Sequence, residues 1–279
     1  MRKKYKLRRR VGRTVSTVFK VVFTMIFLFP FYWMIITSLK TYLESTKYPP
    51  TLWPLSPTIE AYVKIFQEMD LWPYLRNSLV IVIFTLLLQT AIMIPAAYAF
   101  ARYKFKGNGL MFGIVTMAFM VPTQVTFVSV YIMFARAGLL RTLLPQILPH
   151  GANAWGIFLL RQNFKQVPEE LIEAARLDEA GELRIMTRIM LPMAKPAYVT
   201  VMLMSFIGTW NSYFWPLVMC VSEDTKPFTL AISKFRELET GMAWPTVMAG
   251  NLLLMLPVLI LFLIGSKRII SGIAYRGAK

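Results

Sequence analysis

The residues of this sequence best suited to bind a small molecule are neutral polar groups beside aromatic rings. They lie together in one apolar stretch as Thr209, Trp210, Asn211, Ser212 and Tyr213. Amide and hydroxyl groups next to aromatic faces suit an uncharged polyol or sugar, which presents hydroxyl groups and apolar ring faces. The alternative is structural, because Tyr213 would also fit an aromatic belt at a membrane interface, and Asn211 a hydrogen bond between two helices.

Three further amide side chains interrupt apolar stretches elsewhere in the chain, namely Gln89, Gln124 and Asn251. Each is a candidate for the same solute pathway, or else a polar contact that holds neighbouring helices together. The single histidine, His150, offers no cluster for a metal, and the single cysteine, Cys220, no internal disulfide. The phosphate-loop pattern G-x-x-x-x-G-K-[ST] does not occur. We therefore predict no catalytic residue, no metal site and no ATP hydrolysis of the P-loop kind by this chain.

The elements that must position these side chains are membrane helices. Hydrophobic residues make up 56% of the sequence and charged residues 16%, which is typical of an integral membrane protein. Apolar stretches of about the length that a bilayer requires occur six times, at residues 21–39, 77–101, 110–135, 142–160, 197–222 and 243–266. We predict an all-α integral membrane protein with six transmembrane helices and no separate soluble domain.

The distribution of basic residues predicts the orientation. Residues 1–20 carry nine basic residues and no acid. Segments that would face the cytoplasm if the chain starts there hold 22 of the 31 basic residues, as the positive-inside rule requires. The sequence thus predicts a cytoplasmic N-terminus (1–20), a six-span permease domain (21–266) and a cytoplasmic tail (267–279). Because the charge is divided among segments that alternate between spans, the net charge of +17 does not indicate a nucleic-acid partner.

A charged segment between the fourth and fifth apolar stretches, residues 167–196, has an ordered helical pattern. Pro168 suits a first helical position, and three acids follow where a helix dipole favours them. Glu173 is placed to reach Arg176 three residues on. Gly181 interrupts the pattern, and a second helix is predicted from about Glu182. Its apolar face would be formed by Leu183, Met186, Ile189 and Met190, with Arg184 and Arg188 opposite.

This segment resembles the EAA loop of the permease subunits of binding-protein-dependent ABC importers. The matching residues are Glu173-Ala174-Ala175, Asp178, Ala180 and Ile189-x-Leu191-Pro192. The resemblance implies the type I ABC importer permease fold, in which the loop forms cytoplasmic coupling helices that dock onto an ATPase subunit. The residues expected to carry the coupling are Glu173, Ala174, Ala175, Asp178, Ala180, Gly181, Leu183, Met186, Ile189, Leu191 and Pro192. Where the family usually has glycine directly after the aspartate, this chain has Glu179.

Four further stretches are similar to permeases of the carbohydrate-uptake branch, in particular the maltose-type second permease subunit; they span residues 97–107, 158–164, 210–216 and 267–274. The resemblance implies a set of partners: cytoplasmic ABC ATPase subunits that bind ATP and Mg, a second permease subunit forming a heterodimer, an extracytoplasmic solute-binding protein, and membrane lipid. It also implies that no cofactor binds to this chain, and that the protein resides in a bacterial or archaeal cytoplasmic (inner) membrane.

Alternative functions remain open at this stage. An importer of the same class for another polyol-like solute, such as glycerol phosphate, is compatible with the residues. An ion-coupled secondary carrier would need an ionisable group within the membrane, and none of the six predicted spans contains an acid. A membrane-embedded enzyme would need a set of catalytic residues, and the sequence offers only one histidine, one cysteine and no acid within a predicted span.

One amphipathic helix is expected on the outer surface. Between the first two spans, apolar residues recur at helical spacing from Ile59 to Met69, and Glu60 is placed to pair with Lys64.

Overall fold

The computed structural model describes residues 2–236 and 243–274, with side chains for 14–235 and 243–263. Within these ranges the chain is helical and contains no strand. The first half comprises α1 (Arg2–Ser38), α2 (Tyr42–Ser45), α3 (Glu60–Glu68), α4 (Leu71–Arg102), α5 (Asn108–Ala118), α6 (Thr123–Arg136) and α7 (Leu144–Ile147). The second half comprises α8 (Ala154–Phe164), α9 (Glu169–Leu177), α10 (Glu182–Ile185), α11 (Leu191–Met193), α12 (Lys195–Trp210), α13 (Phe214–Met219), α14 (Phe228–Ser233) and α15 (Trp244–Ala274).

Three helical stretches are long and apolar enough to cross a membrane: Thr14–Ser38, Leu71–Arg102 and Trp244–Leu263. They agree with the first, second and sixth predicted spans. Two helix pairs also pass if each bent pair is one span, so the described residues provide up to five spans by length and composition. The described part of the structure does not include the side chains of residues 1–13 and 267–279, which carry part of the predicted cytoplasmic charge. It also leaves out residues 237–242 of the last predicted outer loop.

The other three predicted spans are not continuous helices. In the stretch 110–135, α5 and α6 meet at 95°, with Pro122 at the start of α6, where proline lacks the N–H that a continuous helix would need. The fifth predicted span ends as a helix at Trp210 and resumes at Phe214. The fourth, 142–160, is wrong as a single helix. It consists of α7, a 3₁₀ turn (Leu148–His150) and the start of α8, because Pro145 and Pro149 lack the backbone N–H that a continuous helix needs.

The chain divides into two compact units. Unit 1 contains Met1–Asp70 and Ile232–Leu256, and unit 2 contains Leu71–Ala231 and Pro257–Lys279. In unit 1 the segment after α1 is fixed by two buried charges. Lys40 donates to the Thr51 carbonyl (2.5 Å), and Glu44 accepts bonds from the Thr51 hydroxyl (2.9 Å) and the Leu55 amide (2.8 Å). These bonds hold the loop between α1 and α3.

The predicted amphipathic helix is confirmed as α3, but its contacts differ from the prediction. Lys64 pairs with Glu68 at 3.7 Å instead of with Glu60, and both side chains are exposed. Ala61 and Ile65 are buried, whereas Ile59 is 66% exposed. Only part of the apolar face of α3 is therefore buried within unit 1.

Unit 2 is built around α4, which packs along α8 and α12. The buried core between them includes Met93, Ala97, Leu160, Phe164 and Val201, and it continues into the predicted coupling segment through Ile172, Ile185 and Met190. Helices α4 and α8 approach closely at Gly156. A Cβ there would lie 2.3 Å from the sulfur of Met93 and 2.9 Å from a methyl group of Val201.

Substitution of Gly156 by valine should lower the free energy of unfolding by about 1–3 kcal/mol, because it overpacks the contact of α4 with α8. Gly113, which also lies within a helix but has open space around its Cα, supplies the matched control. Thermal unfolding of the detergent-solubilised protein measures both. Equal midpoints for Gly156→Val and Gly113→Val would contradict this close packing.

Candidate functional site

The predicted coupling segment, residues 167–196, forms two helical stretches in the structure. The first is α9, which follows Pro168 and has Glu169 and Glu170 in its first turn. The second begins at Glu182, as predicted, and continues through α10 and a π-helical turn (Met186–Met190) into α11. The bounds of both helices thus agree with the sequence pattern.

The corner between the two stretches is a left-handed turn at Glu179, whose φ is 54°. The Ala180 amide donates to the Ala175 carbonyl (2.9 Å) and the Glu179 amide to the Arg176 carbonyl (3.0 Å). These two bonds form a Schellman motif, in which the left-handed position usually holds glycine. Gly181, predicted to interrupt the pattern, has φ −64° and precedes α10 in an extended conformation. Glu179 therefore takes the strained position itself, at a cost of about 1–2 kcal/mol.

Glu182 connects the two stretches to α4. Its carboxylate accepts a hydrogen bond from the Tyr98 hydroxyl (2.5 Å) and two from the Arg176 guanidinium (3.1 and 3.2 Å). The pKa of Glu182 lies below its usual value, chiefly because of the Tyr98 hydrogen bond; burial opposes this shift, and Arg176 adds to it. Arg176 thus pairs with Glu182 and not with Glu173, because the corner folds the second stretch back over the end of α9.

Arg102, the last residue of α4, attaches the start of the segment. Its guanidinium donates to the carbonyls of Phe164 (2.6 Å) and Val167, and to Glu169 (2.7 Å). The Arg102 side chain is 8% exposed, whereas Glu169 is 55% exposed. Tyr98 and Arg102 were not predicted individually, although both lie in the stretch 97–107 that is similar to carbohydrate-uptake permeases.

The structure divides the predicted coupling residues into an outer and an inner set. The exposed ones are Glu173, Ala174, Asp178, Gly181, Leu183 and Pro192. Ala175 is buried, while Ala180, Met186, Ile189 and Leu191 pack partly against the core of unit 2. The predicted apolar face of the second helix is therefore divided in the structure, because Leu183 is 70% exposed whereas Met190 is fully buried.

The π-helical turn explains this difference. A π turn bonds residue i to residue i+5, so it places residues five apart on one side. Ile185 and Met190 are five apart, and both are fully buried. The expected face assumed 3.6 residues per turn and therefore missed Ile185. Leu177 and Leu183, which are 85% and 70% exposed, are left as apolar projections near the corner.

A cavity of about 680 Å³ lies in unit 2. Its polar lining is formed by neutral groups that include Gln89, Gln146, Asn153, Ser205, Thr209 and Ser212. Aromatic rings of Phe119, Trp155 and Trp215 also line it, and none of the described lining residues is charged at neutral pH. The volume and the mixed lining are typical of small-molecule sites.

The structure brings only part of the predicted pathway group to this cavity. Gln89 and Ser212 line it, together with Thr209. Trp210 is 2% exposed and stacks on Phe206, and the Asn211 amide bonds its own helix at the Ile207 carbonyl (3.0 Å). Tyr213 and Gln124 are exposed outside the cavity lining, and Asn251 belongs to unit 1. Successive residues of a helix are rotated by about 100°, so five consecutive side chains cannot all face one cavity, and of this run only Thr209 and Ser212, three residues apart, line it.

Hydrogen bonds hold the cavity's amides in place. Gln89 donates to the His150 carbonyl (2.8 Å), and Asn153 donates to the Ser205 hydroxyl (3.0 Å). The Asn153 side chain also accepts from the Gly156 amide (2.8 Å), which caps α8. Asn153, Ser205 and Gln146 were not predicted as site residues from the sequence. An asparagine directly before a helical stretch was the available signal for the first of them.

Replacement of Glu179 by glycine should stabilise the corner by about 1 kcal/mol, because glycine adopts the left-handed conformation without the steric cost. Glu179→Ala, which keeps that cost and removes the carboxylate, should change little. Amide hydrogen exchange at Ala180 reports the local opening free energy. An equal gain from both variants would mean that charge, and not backbone strain, sets the stability of the corner.

Replacement of Arg102 by methionine should destabilise the start of α9 by about 1–3 kcal/mol, because the Val167 carbonyl loses its side-chain donor and the Phe164 carbonyl keeps only its bond from the Val167 amide. Glu169→Gln removes only the exposed ion pair, which is worth less than ~1 kcal/mol. Hydrogen exchange across α9 compares the two variants. Similar protection factors in both would show that Arg102 does not anchor the segment.

Comparison with known proteins agrees with this architecture. Residues 92–273 match the family described as "Binding-protein-dependent transport system inner membrane component". The chain is 32% identical over 257 residues to the putative ABC transporter permease protein ORF2 of Caldicellulosiruptor sp. (strain Rt8B.4), covering 91% of this chain and 93% of that protein. It is 29% identical to the arabinooligosaccharides transport system permease protein AraQ of Bacillus subtilis (strain 168), covering 96% of each.

Among solved structures, a chain of a bacterial ABC transporter involved in the import of the acidic polysaccharide alginate superposes with a TM-score of 0.80. The two chains are 24% identical, and the match covers 92% of this chain and 96% of that one. The fold is therefore that of a type I ABC permease. The chain belongs to the family of inner-membrane components of binding-protein-dependent transport systems.

Proposed function

We propose that this chain is one permease subunit of an ATP-driven importer of a sugar or oligosaccharide. In this proposal the chain crosses the membrane six times with both ends in the cytoplasm. It pairs with a second permease and receives solute from an extracytoplasmic binding protein. Cytoplasmic ATPase subunits bind ATP and Mg, whereas this chain binds neither. The family supports the class of transporter, and the relative named for arabinooligosaccharides supports the class of cargo.

The observation that carries the proposal is the attachment of the coupling segment, 167–196, to α4. Exposed Leu177 and Leu183 form an apolar projection that a cleft of an ATPase subunit would receive. Behind them, Glu182 and Glu169 are bound by Tyr98 and Arg102 at one end of α4. A displacement of the projection is therefore transmitted to α4 through charge-assisted hydrogen bonds, which are stronger than neutral ones.

The same helix also reaches the cavity. Gln89, nine residues before Tyr98, lines the cavity and bonds the His150 carbonyl. Nine residues of α-helix correspond to about 14 Å. A movement at the coupling end of α4 would thus displace the cavity wall directly, because one continuous helix joins Gln89 and Tyr98.

The cavity's chemistry favours a sugar over the alternatives. A permease for glycerol phosphate would be expected to present a cation to the phosphate, and the described lining residues include none. An ion-coupled carrier would be expected to place an ionisable acid on the pathway, and the described lining has no acid either. Hydroxyl and amide groups beside tryptophan rings suit an uncharged carbohydrate.

Leu183→Asp should uncouple transport, because it places a charge on the apolar projection without disturbing the buried core beneath it. We expect at least a tenfold loss of uptake, corresponding to about 1.4 kcal/mol or more of docking energy. Leu55→Asp, at a leucine that is 68% exposed in unit 1, is the matched control. Uptake and binding-protein-stimulated ATPase activity are measured in proteoliposomes that contain all subunits. Normal uptake and stimulation with Leu183→Asp would disprove the coupling role.

A further inference from the structure

Between α1 and α4 the chain folds back beside the end of the first membrane helix. The Tyr32 hydroxyl, on α1, donates to the Leu52 carbonyl. Closer to the end of α1, the Ser38 and Tyr62 hydroxyls share a hydrogen bond (2.9 Å), which joins α1 to α3. All four residues belong to unit 1. The loop at Leu52 and the helix α3 are thus held at two different levels of α1.

These two contacts define a depth relative to the bilayer. The apolar part of α1, Thr14–Ser38, has 25 residues and is therefore about 37 Å long, whereas the hydrocarbon core of a bilayer is about 30 Å thick. The last turns of α1 therefore reach the headgroup layer. Tyr32 lies six residues, or about 9 Å, before Ser38. Leu52 is thus placed at the boundary between headgroups and hydrocarbon, and α3 lies farther out.

The loop at this boundary exposes large apolar side chains. Tyr48, Leu52 and Trp53 are exposed to between 64% and 95%. Residues 48–59 include no charged residue. Tyrosine and tryptophan are enriched at membrane–water interfaces, where the ring is apolar and its polar atom reaches the headgroups. The composition of the loop therefore fits the depth at which Tyr32 holds it.

Helix α3 has three sides of different character. One side is buried in unit 1 through Ala61 and Ile65. A second, apolar side is exposed and includes Val63 and Phe66. The third side carries the charged residues Glu60, Lys64 and Glu68. An exposed apolar side that adjoins a charged one is typical of a helix that lies in the plane of a membrane surface.

Charge does not explain this surface. From Lys40 to Asp70 the chain has three lysines and four acids, and two of these charges, Lys40 and Glu44, are buried. The segment therefore lacks the excess of positive charge that attracts anionic lipids. A soluble protein would bind in the water beyond the end of α1, whereas Leu52 lies beside the span itself. The depth thus favours lipid as the occupant.

We propose that these side chains form an interfacial surface, Tyr48, Leu52, Trp53, Val63 and Phe66, that inserts into the lipid layer at the end of α1. Insertion depends on apolar contact and requires no anionic headgroup. Because Tyr32 and Ser38 bond the segment to α1, the surface also fixes the depth of α1 in the bilayer. This inference goes beyond the proposed function, since it concerns neither the solute nor the ATPase subunits.

The experiment measures depth in the complete transporter, assembled in phosphatidylcholine nanodiscs. Spin labels are attached to Trp53→Cys, Phe66→Cys and, as the matched control on the charged side of α3, Lys64→Cys. Each variant also carries Cys220→Ala, and the partner subunits are free of cysteine. Collisions of the label with oxygen, which concentrates in lipid, and with a water-soluble nickel chelate give its depth. Size-exclusion chromatography checks that each labelled complex is intact.

We expect the label at position 53 to lie about 5–10 Å below the boundary between headgroups and acyl chains. The label at position 66 should lie nearer that boundary, shielded from nickel, and the label at position 64 should be in water. Addition of phosphatidylglycerol should leave all three depths unchanged, because the segment has no positive excess.

Three results would overturn the proposal. Equal access of nickel to positions 53, 66 and 64 would show that the surface faces water. Shielding of positions 53 and 66 from oxygen and nickel alike, with or without the binding protein, would show that a protein partner covers it. Insertion only in the presence of phosphatidylglycerol would show that charge, and not apolar contact, holds the segment. Failure of the proposed function is distinguishable, because the depth is measured without transport.

Discussion

The arrangement of unit 2 depends on the interaction of one guanidinium group with the chain that follows α8. Arg102 ends the long apolar helix α4, and it donates to the carbonyls of Phe164 and Val167 and to the carboxylate of Glu169. Arg102 thus bonds the Val167 carbonyl and adds a second donor to the Phe164 carbonyl, which also accepts from the Val167 amide (3.2 Å), where the chain leaves one helix and enters the next. The planar guanidinium carries five donors in a fixed fork, whereas the three donors of a lysine ammonium share one nitrogen. One side chain thereby fixes the direction in which the segment 167–196 leaves the core.

Beyond this anchor, the segment combines a strained backbone with satisfied hydrogen bonds. Glu179 holds the left-handed turn, and the amides of Glu179 and Ala180 are bonded back to α9. The π-helical turn then places Ile185 and Met190 under the segment. Because both residues are fully buried, the corner cannot rotate without exposing them. The exposed leucines at positions 177 and 183 are therefore presented by a fixed support and not by a loose loop.

The sequence predicted those features that local pattern determines. Pro168 and the acids after it predicted α9, the position after Gly181 predicted the second helix, and the EAA-like residues predicted the family. It failed where longer-range geometry decides. A π turn changes which residues share a face, and nothing in the order of apolar residues from Leu183 to Met190 distinguishes it from an ordinary helix. Likewise, the polar group from Thr209 to Tyr213 was assumed to lie on one continuous helix. In the structure α12 ends at Trp210, and Thr209 and Ser212 line the cavity whereas Asn211 and Tyr213 do not.

The separation of charge from the cavity has a mechanical consequence. Two ion pairs of unit 2, Arg102–Glu169 and Arg176–Glu182, lie at the coupling end of α4. The described lining of the cavity, by contrast, offers only neutral hydrogen-bonding groups. A membrane potential acts on charge, so it exerts little force on a neutral solute in such a space. In the proposed mechanism the work must therefore arrive as displacement, and α4 is the element that contacts both ends. For this transmission the stiffness of α4 matters more than the polarity of its side chains. The Pro95 within α4 does not interrupt it, since the helix continues to Arg102, and the core residues Met93, Ile94 and Ala97 pack on both sides of that proline. A bend at this point would absorb the displacement, and close packing against α8 prevents it.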